Sequence, residues 1–401
     1  MLRKLIWGIG AMLAAGAAYA ADPSPLRIAV LNDLSSVYSD YQGIGSVVAA
    51  QMAVEDYGGK VAGRPVEVLS ADHQMKADVG AAIARRWFDN DNVQLILDVP
   101  NSSVALAVNE IARDRNKVLI GSGAGTSLLT GEKCTPNTIH WTYDTWALAH
   151  GVAKAVVQQG GKKWFFITSD YAFGHDLEKQ AAEVVKANGG EVLGSVRHPL
   201  GTSDYASFIL QAQASGADVI GLATPGGDLS NLVKQANEFG LAKTHRLVGL
   251  IFAINNVESI GVASSQGVVA LNATYWDLND ATRAWSKRFQ ARHPRKVMPN
   301  DQQMGVYSAV LHYLKAVEKL GGEATDGARV VAQMKQMPTD DPLFGKGVIR
   351  ADGRKIHQNY ILRTKRPEDV KGTWDYFDVI ATVPAEESFR PMSEGRCPLV
   401  Q

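Results

Sequence analysis

Cysteine is nearly absent from this 401-residue chain; only Cys134 and Cys397 occur. That excludes a Cys-rich metal site and leaves room for one disulfide in an oxidising compartment. Net charge is missing too, with 41 basic residues set against 41 acidic ones, a balance that argues against nucleic acid as a partner. Apart from the N-terminal segment, no stretch approaches the ~20 continuous apolar residues of a membrane span. There is no Walker loop and no His-x-x-x-His pair. The run Gly121-Ser122-Gly123-Ala124-Gly125 has neither the serine-centred order of a nucleophile elbow nor the six-position glycine fingerprint of dinucleotide binding. Neither catalysis nor a cofactor is expected.

What is present begins with an export signal. Arg3 and Lys4 precede an apolar run from Leu5 to Ala17, and Ala18-Tyr19-Ala20 fits the A-x-A cleavage pattern, so residues 1–20 are expected to be removed and the protein delivered to the periplasm. The remaining chain, roughly 380 residues, is too long for one ordinary core and suits two domains.

The stretch Val93 to Thr126 organises the rest. VQLILDV is a short, apolar, β-branched run of strand length. Pro100-Asn101-Ser102-Ser103 then leads into a helical face made by Val104, Ala107, Val108 and Ile111, with Asn101 or Ser102 as the N-cap. A second strand, Val118 to Ile120, runs out into the small-residue loop ending at Thr126, from which backbone amides and hydroxyls can approach a ligand closely. Two strand ends thus meet donor-rich loops, the place where open α/β sheets hold ligands and where a helix N-terminus favours an anion. Capping alone also explains these serines and this asparagine.

Strand and helix patterns alternate from Leu26 to about Asn116 and restart after Trp141-Thr142-Tyr143-Asp144-Thr145-Trp146, which predicts α/β architecture with doubly wound parallel sheets. Between Asp280 and Met337 the pattern is helical only. From Gly347 to Val383 it reads as hairpins.

The order and spacing of LRIAVLNDLSS with YQG, AAQMAVEDYGG, VPNSSVALAV, ITSDYAFGHD, GADVIGLATPGGDLSNLVKQANEFGL and MGVYSAVLHYLKAVE resemble the periplasmic solute-binding proteins of ABC importers, of the leucine/isoleucine/valine-binding type. The resemblance covers nearly all of the mature chain. It implies the type I periplasmic binding protein fold: two doubly wound Rossmann-like lobes joined by a three-strand hinge, crossing near Tyr143-Asp144, Ala273-Tyr275 and Asp340-Pro342. Lobe one is then 26–143 plus 275–340, lobe two 144–274 plus 341–383, and 384–401 a C-terminal tail. The expected partners are a small ligand and the membrane permease subunits of an importer, with the protein itself a monomer. A ligand-binding sensor module is the competing class.

Carried over motif by motif, the resemblance implies that Ser102 and Ser103, with Asn101 admitted by the alignment, hold a ligand carboxylate together with Ala124 and Thr126. Tyr41 and Phe173 match aromatics on the two lobes. The acid that meets an amino-acid ammonium falls at Ile251 or Phe252, which cannot pair with a cation, and an aromatic position holds Pro225; Asp144 or Asp228 would have to replace the acid. Tyr143, Trp146 and Tyr275 gather beside the presumed crossings and suit a flat apolar body. The expected ligand is therefore a small apolar or aromatic carboxylate, with branched-chain amino acids as the alternative. In an exported chain Cys134 and Cys397 have only each other, so a disulfide between them is expected, pinning a tail that is extended and loosely packed from Pro384 to Arg396.

Overall fold

The computed structural model describes residues 24–400, so the expected leader, 1–20, lies outside the described residues. The first sheet contains β1 (Leu26–Asn32), β2 (Lys60–Val61), β3 (Arg64–Asp72), β4 (Val93–Asp98), β5 (Val118–Gly121) and β6 (Thr138–His140), in the order β2-β3-β1-β4-β5-β6. Pairing is parallel throughout except for β2 on β3. Helices cover both faces of this sheet, so β4 and β5 are buried along their whole length; that is why they read as continuous apolar runs rather than alternating ones.

The second sheet holds β7 (Lys163–Ser169), β8 (Glu191–His198), β9 (Val219–Ala223) and β10 (Arg246–Gly249), all parallel in the order β10-β9-β7-β8. Two small antiparallel sheets complete the chain: β11 (Val269–Asn272) with β15 (Asn359–Thr364) and β16 (Phe377–Val383), and β12 (Thr339–Asp341) with β13 (Gly345–Ile349) and β14 (Lys355–Ile356). The helices Asp280–Arg292, Asp301–Lys319 and Gly327–Gln336 follow one another with no strand between them. Their Phe289, Val310 and Val331 share one core with Ile28, Leu95 and Val118 of the first sheet.

One expected boundary is corrected. The expected second lobe includes 341–383, but Leu343, Phe344 and Ile349 pack into the core of the first. Arg354 still bridges to His140 at the end of β6. The chain changes lobes only beyond it, where Ile356 and Ile361 reach the second core. Alternation identifies a hairpin, but it does not say which of two cores its apolar face will meet.

The crossings are held by buried charge. Arg354 is fully buried, donates from Nε to the Lys355 carbonyl at 3.0 Å and from its Nη atoms to the carbonyls of Thr142 and Tyr143, and lies 3.5 Å from Asp144. Lys355, equally buried, places its ammonium 4.2 Å from the Phe344 ring centroid and 5.1 Å from that of Trp141, and Nζ has no hydrogen-bond partner among the described residues. Burial pushes its pKa down to about 7.

Cys134 and Cys397 are bonded, as expected, with Cα atoms 5.6 Å apart. The tail before Cys397 is not loose, however. Phe389 is buried with the Arg354 guanidinium 4.4 Å above its ring and His357 against its edge, Arg390 donates to the Ser127 carbonyl at 3.1 Å, and Arg396 pairs with Glu132. One apolar residue, Phe389, anchors a segment whose composition reads as polar.

Candidate ligand-binding cleft

A narrow pocket, with about 10 Å³ of room for a water-sized sphere, lies between the two sheets. Each residue lining it follows the C-terminal end of a parallel strand by no more than ten positions. Tyr38, Tyr41 and Gln42 come after β1, Pro100 after β4, Gly123 after β5, Tyr143 after β6, Tyr171 and Phe173 after β7, Pro225 after β9 and Ile251 after β10. This is where doubly wound sheets place ligands, because the strand order splits there and the loops diverge. None of these lining residues carries a charge.

Local backbone geometry builds the rim. Asp98 and Val99 both hold positive φ, 76° and 52°, a conformation that is costly for a β-branched residue. The turn is held by the Val99 N–H on the Leu31 carbonyl at 3.1 Å and by the Asp98 carboxylate, which accepts from Asn32 at 2.7 Å and Ser122 at 3.1 Å. It delivers Pro100 to the cavity. The loop after β1 is tied by Asp33, whose carboxylate accepts from the N–H groups of Ser36 and Tyr38 at 2.9 and 2.8 Å. That loop reaches across to the second lobe: Gly227 N–H donates to the Val37 carbonyl at 2.9 Å, Asn255 to the Asp40 carbonyl at 3.0 Å, and the Tyr38 and Tyr171 hydroxyls meet.

Burial governs the electrostatics. Tyr38, Tyr41 and Tyr143 have phenol pKa values raised well above the usual value, chiefly by desolvation, so they stay protonated. Desolvation also pushes Asp98 and Asp301 up to about 7, and Asp228 up to about 6. Asp301 donates nothing to the wall itself; it lies behind Tyr41 and Tyr143, with one oxygen accepting from Ala273 N–H at 2.9 Å and the other unpaired among the described residues.

Of the expected site residues, the structure brings Tyr41, Tyr143 and Phe173 together in the cavity wall. The others lie outside that wall. Asn101 caps the helix Ser102–Asp114, its side chain accepting from Ser103 and Val104 N–H at 2.9 and 3.1 Å. Ser103 is half-buried on that helix. Ser102 is buried with an Oγ that has no partner among the described residues. Ala124 turns inward, its N–H toward the Asp98 carbonyl and its own carbonyl accepting from His140 at 2.5 Å; Gly123 lines the cavity in its place. Thr126 donates to Asp176 of the second lobe at 3.0 Å, beside Ser127 and Thr145, so a protein carboxylate takes the hydroxyl expected to meet a ligand.

Trp146 stacks on His150 at 3.6 Å and faces an outer groove shared with Lys179 and Arg390. It sits on the helix Thr145–Gln158, past the turn that aims Tyr143 inward. Tyr275 packs edge-on against Trp276 and Phe377 in the second core, its hydroxyl 3.4 Å from the Trp374 carbonyl, because the chain has already turned away from the cleft there. Asp144 caps the helix Thr145–Gln158 and faces Arg354, so it is not free to meet a ligand.

Sequence reasoning missed Tyr38, Gln42 and Tyr171 in the wall and Gln302 behind it. The first three stand within a few positions of Tyr41 or Phe173, so scanning every aromatic or amide within ten residues of a strand end finds them. Gln302 lies on a helix assigned to the first core, and no local pattern marks it.

The chain belongs to the periplasmic binding protein family, whose model matches residues 25–371. The fold superposes on a periplasmic binding protein from Burkholderia mallei with a TM-score of 0.91 at 48% identity, covering 94% of this chain and 99% of that one. A branched chain amino acid ABC transporter periplasmic ligand-binding protein from Burkholderia xenovorans LB400 matches with a TM-score of 0.81 at 42% identity over 94% of this chain and 100% of that one. A solute-binding protein from R. palustris, solved in complex with benzoate, shares the fold at 19% identity with a TM-score of 0.79, covering 90% of this chain and 97% of that one.

Proposed function

We infer that the protein is the periplasmic substrate-binding component of an ABC importer and that its ligand is a small carboxylate with an apolar or aromatic body. The observation that carries the ligand class is the cavity wall: five aromatic rings, two prolines and Ile251, with no charged side chain. Such a wall rewards burial of a flat apolar body. A buried ammonium would lack an ionised partner in the wall, which costs several kcal/mol. Export to the periplasm follows from the leader expected at 1–20. We assign residues 26–143 and 280–355 to one lobe and 144–279 and 356–383 to the other; ligand contacts from both are complete only when the lobes meet, so occupancy favours closure, and the permease subunits read the closed form.

A second reading, branched-chain amino acid binding, is favoured by the 42% identical relative described as a branched chain amino acid transporter component. Calorimetry with benzoate and leucine on the purified protein separates the two. Micromolar binding of benzoate with none of leucine is expected; the converse refutes the acid reading.

A further inference from the structure

We propose that Gln302 positions Tyr143, and that the Tyr143 and Tyr41 hydroxyls act as neutral hydrogen-bond donors to the acceptor end of the ligand, which makes these two phenols the polar specificity determinants of the cleft. This rests on the small-carboxylate reading for the identity of that acceptor. The donor arrangement itself does not.

Gln302 is 1% exposed and sits in the first turn of the helix Asp301–Lys319. Its backbone is locked by a reciprocal cap, the Asn300 side chain accepting from Gln303 N–H at 3.1 Å while Gln303 accepts from Asn300 N–H at 3.1 Å. From there its Nε2 donates to the Tyr143 hydroxyl oxygen at 2.9 Å, and Tyr41 lines the same wall. A phenol oxygen that receives a hydrogen bond still has its own O–H to give. Neither the Tyr41 nor the Tyr143 O–H, on residues 4% and 3% exposed, donates to a described residue, the Oε1 of Gln302 likewise stands without a partner, and both rings line the cavity. Two buried donors without acceptors are costly unless something in the cavity accepts from them.

The alternative anion site is largely spent. Asn101 caps a helix, Ala124 points away and Thr126 serves Asp176, leaving the Ser102 and Ser103 hydroxyls. No cation stands in the wall to hold a carboxylate by charge, so hydrogen bonds from neutral groups must do it. Amide-to-acid exchange at 302 reverses the arrangement: a carboxylate there accepts from the Tyr143 phenol and uses up its proton.

The test uses the full mature protein with benzoate and leucine as probes, followed by calorimetry on Tyr41→Phe, Tyr143→Phe, Gln302→Glu and Ser102→Ala. Each phenol deletion and Gln302→Glu should weaken the bound probe tenfold or more, with more loss than Ser102→Ala. Unchanged affinity in the Tyr41→Phe/Tyr143→Phe double variant overturns the proposal. If wild type binds neither probe, the carboxylate reading fails, and a ligand-independent readout decides the donor arrangement. The Raman tyrosine doublet, whose intensity ratio reports whether a phenol donates or accepts, should move toward the donating limit in ligand-free Gln302→Glu and lose that change when both tyrosines are phenylalanine. An unmoved doublet overturns it.

Discussion

Replacing Lys355 by methionine should stabilise the protein, and by an amount that depends on pH. The side chain is fully buried between Phe344 and Trp141, its amine has no hydrogen-bond partner among the described residues, and desolvation lowers its pKa from the ordinary 10.5 to about 7. The Asp341 carboxylate opposes the shift and Arg354 adds to it. Above pH 10.5 the amine is neutral in both the folded and unfolded chain and costs nothing. As pH falls toward 7 the unfolded chain takes up a proton that the folded protein refuses, so stability declines. Below pH 7 both forms are protonated and the penalty is constant. At about 1.4 kcal/mol for each tenfold change in proton affinity, the full penalty is on the order of 5 kcal/mol, an upper bound because the two rings favour the ammonium. Methionine matches the stem and keeps the aromatic contacts. Urea unfolding of wild type and Lys355→Met at pH 6, 7, 8, 9 and 10 should show the variant several kcal/mol more stable at pH 6 and 7 and the gap closing toward pH 10. Parallel curves would refute the reasoning, since they would mean that the lysine is not titrating between the two states.

Asp301, with its carboxyl near 7 and placed behind Tyr41 and Tyr143, should make benzoate binding weaken by up to about tenfold per pH unit above 7, because an ionised carboxylate repels the anion; calorimetry from pH 6 to 8 should show that slope and Asp301→Asn should flatten it, whereas a ligand held by its ammonium would show the opposite slope. At Gly125 an added Cβ would lie 2.4 Å from the Phe173 ring of the other lobe. Gly125→Ala should therefore wedge the lobes apart, lowering affinity at least tenfold while leaving the melting temperature within a few degrees, and small-angle scattering with saturating ligand should show a more open form than wild type.

The parallel sheets were legible because their strands are buried on both faces: VQLILD and VLIG can be stable only as core strands, and the helices between them repeat an apolar stripe at helical spacing. The two cysteines were legible as a pair because no third thiol competes. The cleft was only partly so. Motif position put Tyr41 and Phe173 on the wall, each in the segment that follows a strand's C-terminal end. The same reasoning failed for Trp146 and Tyr275, where one turn of helix or one change of direction swings a ring from the cleft to an outer groove or a core.

By itself the sequence determined the class of the protein: alternating buried strands and amphipathic helices, two sets of them, with small-residue loops at the strand ends. Only the tertiary structure decided which polar groups remain free for a ligand. Hydrogen bonding is satisfied by whatever partner comes near in space, so Thr126 is spent on Asp176, fifty residues away, and Asn101 on its own helix. Tyr143, by contrast, accepts a hydrogen bond from Gln302, far along the chain. Local spacing carries no information about such partners, because they are chosen by the packing of two lobes that the chain crosses between three times.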